Sequence, residues 1–224
     1  MTIRHWAVLA VSLVASPLLG SSSSLAQTAD WSGFYVGAVA GYGWGEGTYC
    51  DVSCTFIGPT VENEGFMGGA TVGYNHQFDS IVLGIEADYM FGEIDGSTAI
   101  GIVPGPSGAF GCNVTGCHVN YDSMGTVRAR LGYAIGNLLP YATGGLAVID
   151  AEVVQGVTNS KALYSAVAGA GLEFAFNEQL SVKAEYLHVF ENDALVDAFV
   201  CSATGCHATD FSLDVVRVGL NYHF

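Results

Sequence analysis

The sequence has little positive charge. Only six of its 224 residues are lysine or arginine, against 21 aspartates and glutamates, and the formal net charge is −15. Proteins that bind nucleic acid need a basic surface, so this composition excludes that class of partner. Charged residues of both signs make up only 12% of the chain, whereas 50% of it is hydrophobic. That balance is unusual for a soluble secreted protein and fits a chain whose apolar residues face lipid.

Long hydrophobic runs are also missing after the first residues. The apolar run 6–20 follows Arg4 and His5 and precedes a small-residue cleavage site at 24–26. Because this run is shorter than the ~20 residues of a transmembrane helix, it predicts a signal peptide over residues 1–26 and a mature domain over 27–224. No later stretch has the length and hydrophobicity of a transmembrane helix.

The motifs of common enzymes are missing as well. The chain has no phosphate-binding glycine loop at a strand–helix turn and no Gly-x-Ser-x-Gly. Ser181 and His188 lie more than ~20 Å apart along an extended strand and point to opposite faces, so they do not form a catalytic dyad. We therefore predict neither an enzyme nor a cofactor site.

The chain is rich in residues that alternate between bulky apolar and small or polar types. In Phe34–Trp44 the bulky residues take the even positions and glycines take most of the odd ones, a pattern typical of a strand and costly in a helix. The same alternation predicts eight strands, at 34–45, 65–77, 81–92, 121–134, 139–149, 162–176, 180–190 and 211–224. Short connections (78–80, 135–138, 177–179) alternate with long ones (46–64, 93–120, 150–161, 191–210). The expected fold is all-β, an eight-stranded antiparallel up-and-down transmembrane β-barrel in the cell outer membrane.

The alternation also places the charged residues of the strands on one face. With the apolar residues outward, four acidic and four basic side chains point into the lumen, namely Glu86, Asp88, Glu173, Glu185, Arg128, Arg130, Lys183 and Arg217. The facing of the fifth strand, which contains Pro140 and two adjacent glycines, stays open. A soluble lipocalin-type barrel would reverse both faces. The scarce lysine, the aromatic strand ends and the balanced inward charge favour the membrane barrel, because a charge facing lipid costs ~2–4 kcal/mol at the midplane.

Five short segments of the predicted strands stand out, and they read WSGFYVG at 31–37, GYGWG at 41–45, RARLGY at 128–133, PYATGG at 140–145 and KAEY at 183–186. These segments resemble those of the small porin-like outer-membrane proteins of alphaproteobacteria. The terminal Phe224 of VGLNYHF resembles the signal read by the barrel-assembly machinery. The resemblance implies a barrel similar to the transmembrane domain of OmpA, in a family of mostly surface antigens and envelope-stability proteins.

Six cysteines depart from that resemblance. Two of the stretches that contain them read CNVTGCH from Cys112 and CSATGCH from Cys201. In an oxidising compartment the spacing favours local disulfides within the long connections, pairing Cys50 with Cys54, Cys112 with Cys117, and Cys201 with Cys206. Disulfides across loops, a zinc or copper site that includes His118 and His207, and covalently attached haem are the alternatives. We predict the local disulfides and no metal ion.

Together these features predict a structural outer-membrane protein that anchors acidic, disulfide-pinned surface loops and supports envelope integrity. The expected partners are outer-membrane lipid, lipopolysaccharide and the barrel-assembly machinery, with divalent cations or a host surface ligand as further partners of the loops. An adhesin and a narrow channel are the alternative functions. A general porin is disfavoured, because a lumen enclosed by eight strands is only wide enough for side chains.

Overall fold

Ten strands form in the part of the chain that the structure describes, and eight of them close into a barrel. The computed structural model describes residues 29–51, 57–98, 102–105, 108–111, 117–154, 158–190 and 206–224. The strands are β1 (Gly33–Asp51), β2 (Ile57–Phe78), β3 (Ile81–Thr98), β4 (Ile102–Gly105), β5 (Gly108–Gly111), β6 (Cys117–Tyr133), β7 (Leu138–Val154), β8 (Thr158–Ala175), β9 (Leu180–Val189) and β10 (Cys206–His223). The expected signal peptide, residues 1–26, lies outside the described residues.

The barrel strands follow chain order, and the last one closes onto the first. Around the barrel they run β1, β2, β3, β6, β7, β8, β9 and β10, and β10 pairs with β1 through partners such as Ala38 and Leu220. All these pairings are antiparallel, while β4 and β5 form a separate two-stranded hairpin. Among the described residues no helix is long and apolar enough to cross a membrane. The predicted all-β, eight-stranded antiparallel barrel is confirmed.

The predicted strand ends are accurate to within one residue at the short turns, whereas at the long connections the strands extend further than predicted, except β9, which ends at Val189. β1 continues to Asp51, β2 begins at Ile57, and the hairpin β4–β5 lies inside the long connection expected at 93–120. In β1 the apolar alternation ends at Trp44, but the strand continues to Asp51. Backbone hydrogen bonds hold the strands together beyond Trp44, and they do not require an apolar outer face. We call the end with the short turns the turn end of the barrel and the opposite end the loop end.

The outer wall is covered by exposed apolar side chains, with aromatic residues toward both ends. Leu131 and Val218, in the middle of the wall, are 56% and 57% exposed. The lower girdle, toward the turn end, includes Phe34, Tyr74, Phe174 and Tyr222, and the upper girdle includes Trp44, Phe66, Tyr186 and Phe190. A rise of ~3.3 Å per residue and a tilt of ~40° place Phe34 and Trp44 about 25 Å apart along the barrel axis, the height of the apolar band of an outer-membrane barrel.

Two apolar layers fill the ends of the lumen. At the turn end Trp31 packs with Val82, Leu139 and Ala175. The segment before β1 is tied to β2, since the Trp31 N–H donates to Gln77 Oε1 at 3.0 Å and the Gln77 N–H donates to Ser32 Oγ at 3.1 Å. Toward the loop end the buried residues include Met90, Ile94, Met124, Ile149, Leu187, Val189, Leu213 and Val215. The lumen is therefore filled by side chains, and its middle section lies between two apolar layers.

Two tyrosines inside the barrel lie over glycines of a neighbouring strand. Tyr35 on β1 is the register partner of Gly73, and Tyr141 on β7 is the register partner of Gly171. A Cβ atom at Gly171 would lie 2.6 Å from both Cζ and Oη of Tyr141, which is closer than packed atoms approach. The burial of Tyr141 beside the exposed Ala142 also settles the facing of β7 that the sequence left open.

We expect Gly171→Ala to lower the free energy of unfolding by about 1–3 kcal/mol, because the added methyl group forces Tyr141 away from its strand neighbour. Urea titration of the barrel in lipid vesicles measures this change. Gly144→Ala on the outer face of β7 is the matched control, since its added Cβ has only the Val167 carbonyl oxygen nearby, at 3.6 Å. Equal stabilities of the two variants would contradict the packing argument.

Candidate functional site in the barrel lumen

All eight charged residues that the alternation assigns to the lumen lie inside the barrel, between its two apolar layers. β3 supplies two of them, β6 two, β9 two, and β8 and β10 one each. Each side chain in the ion pairs among them is at most 3% exposed. Four carboxylates and four cations give this lumen network, as we call these eight residues, a formal charge of zero.

Glu86 on β3 is surrounded by cations from three other strands. Its Oε1 lies 2.5 Å from Arg128 Nη2 and 3.3 Å from Arg217 Nη2. Its Oε2 lies 2.6 Å from Lys183 Nζ and accepts a hydrogen bond from the Tyr35 hydroxyl at 2.7 Å. One carboxylate therefore connects β1, β3, β6, β9 and β10 across the lumen.

Two more carboxylates, Asp88 and Glu185, share the guanidinium groups of Arg128 and Arg217. Arg128 lies 2.7 Å from Asp88 Oδ2 and 3.1 Å from Glu185 Oε1. Arg217 lies 3.0 Å from Asp88 Oδ1 and 2.5 Å from Glu185 Oε2. Thr126 adds a neutral link, because its hydroxyl donates to Asp88 at 2.8 Å and accepts from Arg128 Nε at 2.9 Å. Acids and cations thus alternate through the middle of the lumen, so each charge has neighbours of opposite sign.

A second group, nearer the turn end, is centred on Glu173 of β8. Arg130 pairs with this carboxylate and places its guanidinium carbon 3.6 Å from the centre of the Tyr141 ring, as a cation–π contact. Ser181 Oγ and Asn221 Nδ2 donate to Glu173 Oε1 at 2.5 and 2.8 Å. The carboxylate therefore has both a charged partner and neutral donors, as a buried charge requires.

Sequence reasoning missed the neutral members of this group, above all His223. The His223 Nε2 atom lies 3.0 Å from Ser181 Oγ and 3.5 Å from Glu173 Oε1, and its ring contacts Tyr35 and Trp31. Serine, histidine and a carboxylate also form catalytic triads, but there the carboxylate binds the imidazole nitrogen opposite the one that faces the serine. Here one nitrogen faces both partners, and Ser181 is fully buried. Ser181 and His223 could have been found from their positions, because each lies an even number of residues from an inward-facing charge on its own strand.

The lumen network can hold the strands together, and its geometry fits that role. Replacing a buried ion network by apolar residues of similar volume is often neutral, whereas removing one partner leaves an uncompensated charge that costs ~3–5 kcal/mol. The network therefore locks the arrangement of the strands, because any shift that separates the charges carries that cost.

No group of three or more His, Cys, Asp or Glu side chains that could hold a metal ion occurs in the described part of the chain. The cysteine side chains lie outside that part, so the disulfides stay a prediction. Their expected placement in loops is wrong for Cys50, Cys117 and Cys206, whose backbone belongs to β1, β6 and β10. The strands extend further toward the loop end than the apolar pattern indicates, and they take in one member of each pair.

Residues 12–224 match the family described as outer membrane protein beta-barrel domain. The chain belongs to this family. It is similar to the 31 kDa outer-membrane immunogenic protein of Brucella melitensis, with 34% identity over 96% of this chain and 93% of the relative. The 25 kDa outer-membrane immunogenic protein of Brucella abortus is 26% identical over 93% and 86% of the two chains. The crystal structure of the outer membrane protein OprG from Pseudomonas aeruginosa shares the fold, with a TM-score of 0.54 and 10% identity over 88% and 98% of the two chains.

The family places the barrel in the outer membrane, as the sequence predicts. The turn end then faces the periplasm and the loop end faces the outside of the cell. Phe224, the predicted assembly signal, lies at the periplasmic end, where its N–H donates to the Phe34 carbonyl at 3.0 Å and its ring packs 5.2 Å from Tyr222. Its reading by the assembly machinery stays a prediction.

We expect Glu86→Gln to lower the free energy of unfolding by about 3–5 kcal/mol, because Arg128 and Lys183 lose part of their neutralising partner while they stay buried. Urea titration in vesicles measures the loss. Glu64→Gln, at an exposed outer position, is the control and stays within ~0.5 kcal/mol of the wild type.

The double variant Glu86→Gln, Lys183→Met tests the electrostatic origin of that loss. It removes one excess cation with the carboxylate, so the two effects are non-additive and part of the stability returns. Strictly additive effects would show that the loss comes from packing instead.

Proposed function

We propose that this chain is a structural protein of the outer membrane, whose rigid barrel anchors acidic, disulfide-pinned surface loops and supports envelope integrity. The filled lumen is the observation that carries the proposal. The lumen network lies between the Trp31 layer and the Met90–Met124 layer. The side chains of the interior therefore serve to hold the strands together. A narrow channel fits this interior poorly, because conduction needs an aqueous path that these layers occupy with side chains.

The wall of the barrel continues above the lipid, which supports a role at the cell surface. β1 and β2 remain paired from Glu46 with Glu62 to Thr48 with Thr60, beyond the Trp44 level of the upper girdle. The surface loops therefore start from a rigid base outside the membrane. The relatives are named immunogenic proteins, which agrees with a chain exposed to the surroundings of the cell.

Acidic side chains line this part of the wall. We call this set the acidic rim, and its exposed members are Glu46, Glu62, Glu64, Asp122 and Asp150. Glu46 and Glu62 are direct cross-strand partners, and like charges in that position repel. A divalent cation held between them and the phosphates of lipopolysaccharide would offset this repulsion. Such bridging is the way in which we expect the protein to support the envelope.

In cells that lack this protein, we expect the wild-type gene to restore the barrier to a hydrophobic dye and Glu46→Gln, Glu62→Gln to restore it only in part. The double variant removes the charges that hold the cation and leaves the lumen unchanged. Dye uptake per cell, measured with and without EDTA, is the readout, and EDTA abolishes the difference between the two strains. Asp79→Asn, Glu178→Gln, which also removes two exposed carboxylates but at the periplasmic end, is the control and behaves as wild type.

Two outcomes would contradict this proposal at different levels. Normal dye exclusion in the cells without the protein would reject a role in envelope integrity. Full restoration by the double variant would reject cation bridging and leave the structural role in place.

The disulfides belong to the same proposal. Each predicted pair joins a residue of a barrel strand, Cys50, Cys117 or Cys206, to a cysteine four or five positions away in sequence, Cys54, Cys112 or Cys201, which lies outside the described residues. A bridge at that place would pin the base of each loop to the wall. Closing so short a loop contributes about 2 kcal/mol against the unfolded chain, so the effect is local.

Intact mass tests the pairing. Protein extracted without reductant and alkylated after denaturation should carry no alkyl group and weigh six hydrogens less than the reduced chain, since all six cysteines are paired. Each bridge should remain within one peptic peptide. Six alkylated cysteines would overturn the disulfides, and peptides joined across connections would overturn the local pairing. Reduced and alkylated protein is the control.

A further inference from the structure

The lipid-facing wall contains a groove that the proposed function does not use. It lies across β6, β7, β8 and β9 and has a volume of about 900 Å³. The groove is deepest where two small side chains lie side by side, since Ala142 on β7 is the register partner of Ala170 on β8. Larger side chains border it, among them Leu131, Leu172 and Tyr186. Within an apolar wall, this shape leaves room for one extended apolar chain beside the barrel.

The extracellular end of this groove meets a polar cluster on the outer surface. Tyr186 lines the groove, and its hydroxyl donates to Asp214 Oδ1 at 2.6 Å. His188 Nδ1 lies 2.7 Å from the same oxygen. Both contacts end on Oδ1, so the second oxygen of Asp214 can accept from a further donor. The side chains of His188 and Asp214 are 34% and 24% exposed, and they face outward.

The position of Asp214 is unusual for a carboxylate, because its outer surroundings are apolar and aromatic. It is the register partner of Trp44 in the upper girdle, and Phe190 packs against His188 with ring centres 4.8 Å apart. On the lipid face, Lys or Arg costs ~2–4 kcal/mol at the midplane, an acidic residue costs less, and the cost falls toward the interface, where this girdle lies. A cationic partner at this place would compensate the charge.

The charged side chains around the cluster determine whether the headgroup of that partner is cationic or anionic. The two register partners of Trp44 are both acidic, Asp214 on one side and Glu64 on the other. An anionic headgroup would meet these carboxylates and be repelled. An ammonium group would pair with Asp214 and could also lie against the Trp44 ring, which attracts cations.

We propose that this surface binds a lipid whose headgroup carries a primary ammonium group, with one acyl chain in the groove and the ammonium group on Asp214; phosphatidylethanolamine is the probe for this chemistry. The groove supplies apolar contact, Asp214 supplies the charge, and Tyr186 connects the two. The site is separate from the proposed divalent-cation site, since Glu46 and Glu62 lie further out along their strands, and it shares only Glu64 with the acidic rim. It is also separate from the lumen network, which points to the other face of the wall.

Fluorescence quenching of Trp44 by brominated phospholipids tests the site. Of the three tryptophans of the chain, Trp6 precedes the mature domain, and Trp31→Phe leaves Trp44 as the reporter in the processed protein. The protein is placed in phosphatidylcholine vesicles that contain brominated phosphatidylethanolamine or brominated phosphatidylglycerol at equal mole fraction. We expect the ethanolamine lipid to quench several-fold more at low mole fraction.

Four variants in the same background separate the parts of the site. Asp214→Asn should remove the preference for ethanolamine, and Ala170→Phe should remove it by filling the groove, with Ala142→Leu as the substitute if Ala170→Phe does not fold. Asp79→Asn, which removes an exposed carboxylate from the β2–β3 turn at the periplasmic end, is the control for charge. Ala70→Phe is the control for bulk. Ala70 also faces outward and also has a tyrosine, Tyr89, as its register partner, but it lies on another part of the barrel wall. Both controls should keep the preference.

Several results would overturn the proposal. Equal quenching by the two lipids, or a preference that survives in Asp214→Asn, would show that no headgroup site exists. Chemically cross-linked dimers that Ala170→Phe abolishes would show that a second copy of the chain covers the groove instead. The temperature at which each variant loses its folded gel mobility shows which variants are folded.

Discussion

The barrel depends on one electrostatic constraint: charges that lie within the height of the membrane must be paired inside the lumen. An alternating strand offers each side chain two places, the lipid and the interior, and a charge in lipid costs ~2–4 kcal/mol at the midplane. Glu86 shows how the constraint is met, since Arg128, Lys183 and Arg217 surround its carboxylate. The strands are therefore joined by side chains through the interior as well as by the backbone ladder.

The sequence shows which charges face inward but not which of them pair. A period of two indicates the face of a strand, and it found all members of the lumen network. Pairing depends on register, which places Glu86 opposite Arg128 and Glu185 opposite Arg217, and a shift of one residue would reverse the faces. The contact between Ser181 and His223 joins residues 42 positions apart. No local pattern signals a contact between neutral groups at that separation.

The strand ends show the same limit. Below the upper girdle the lipid imposes an apolar face, so the alternation locates the short turns closely. Above it water meets the outer face, and the ladder continues through polar residues such as Thr48 and Thr60 without an alternating signal. The sequence therefore placed Cys50 and Cys206 in loops, although their backbone belongs to β1 and β10.

A filled lumen moves any binding function to the outer surfaces, and there the same chemical group has different uses at different heights. Glu46 and Glu62 are cross-strand partners beyond the upper girdle, where we propose that a divalent cation binds to both carboxylates. At Asp214 one carboxylate is held by Tyr186 and His188 beside an apolar groove, where a partner must bring its charge together with a hydrocarbon chain. If both proposals hold, the height of a carboxylate on the wall sets the kind of cation that it binds.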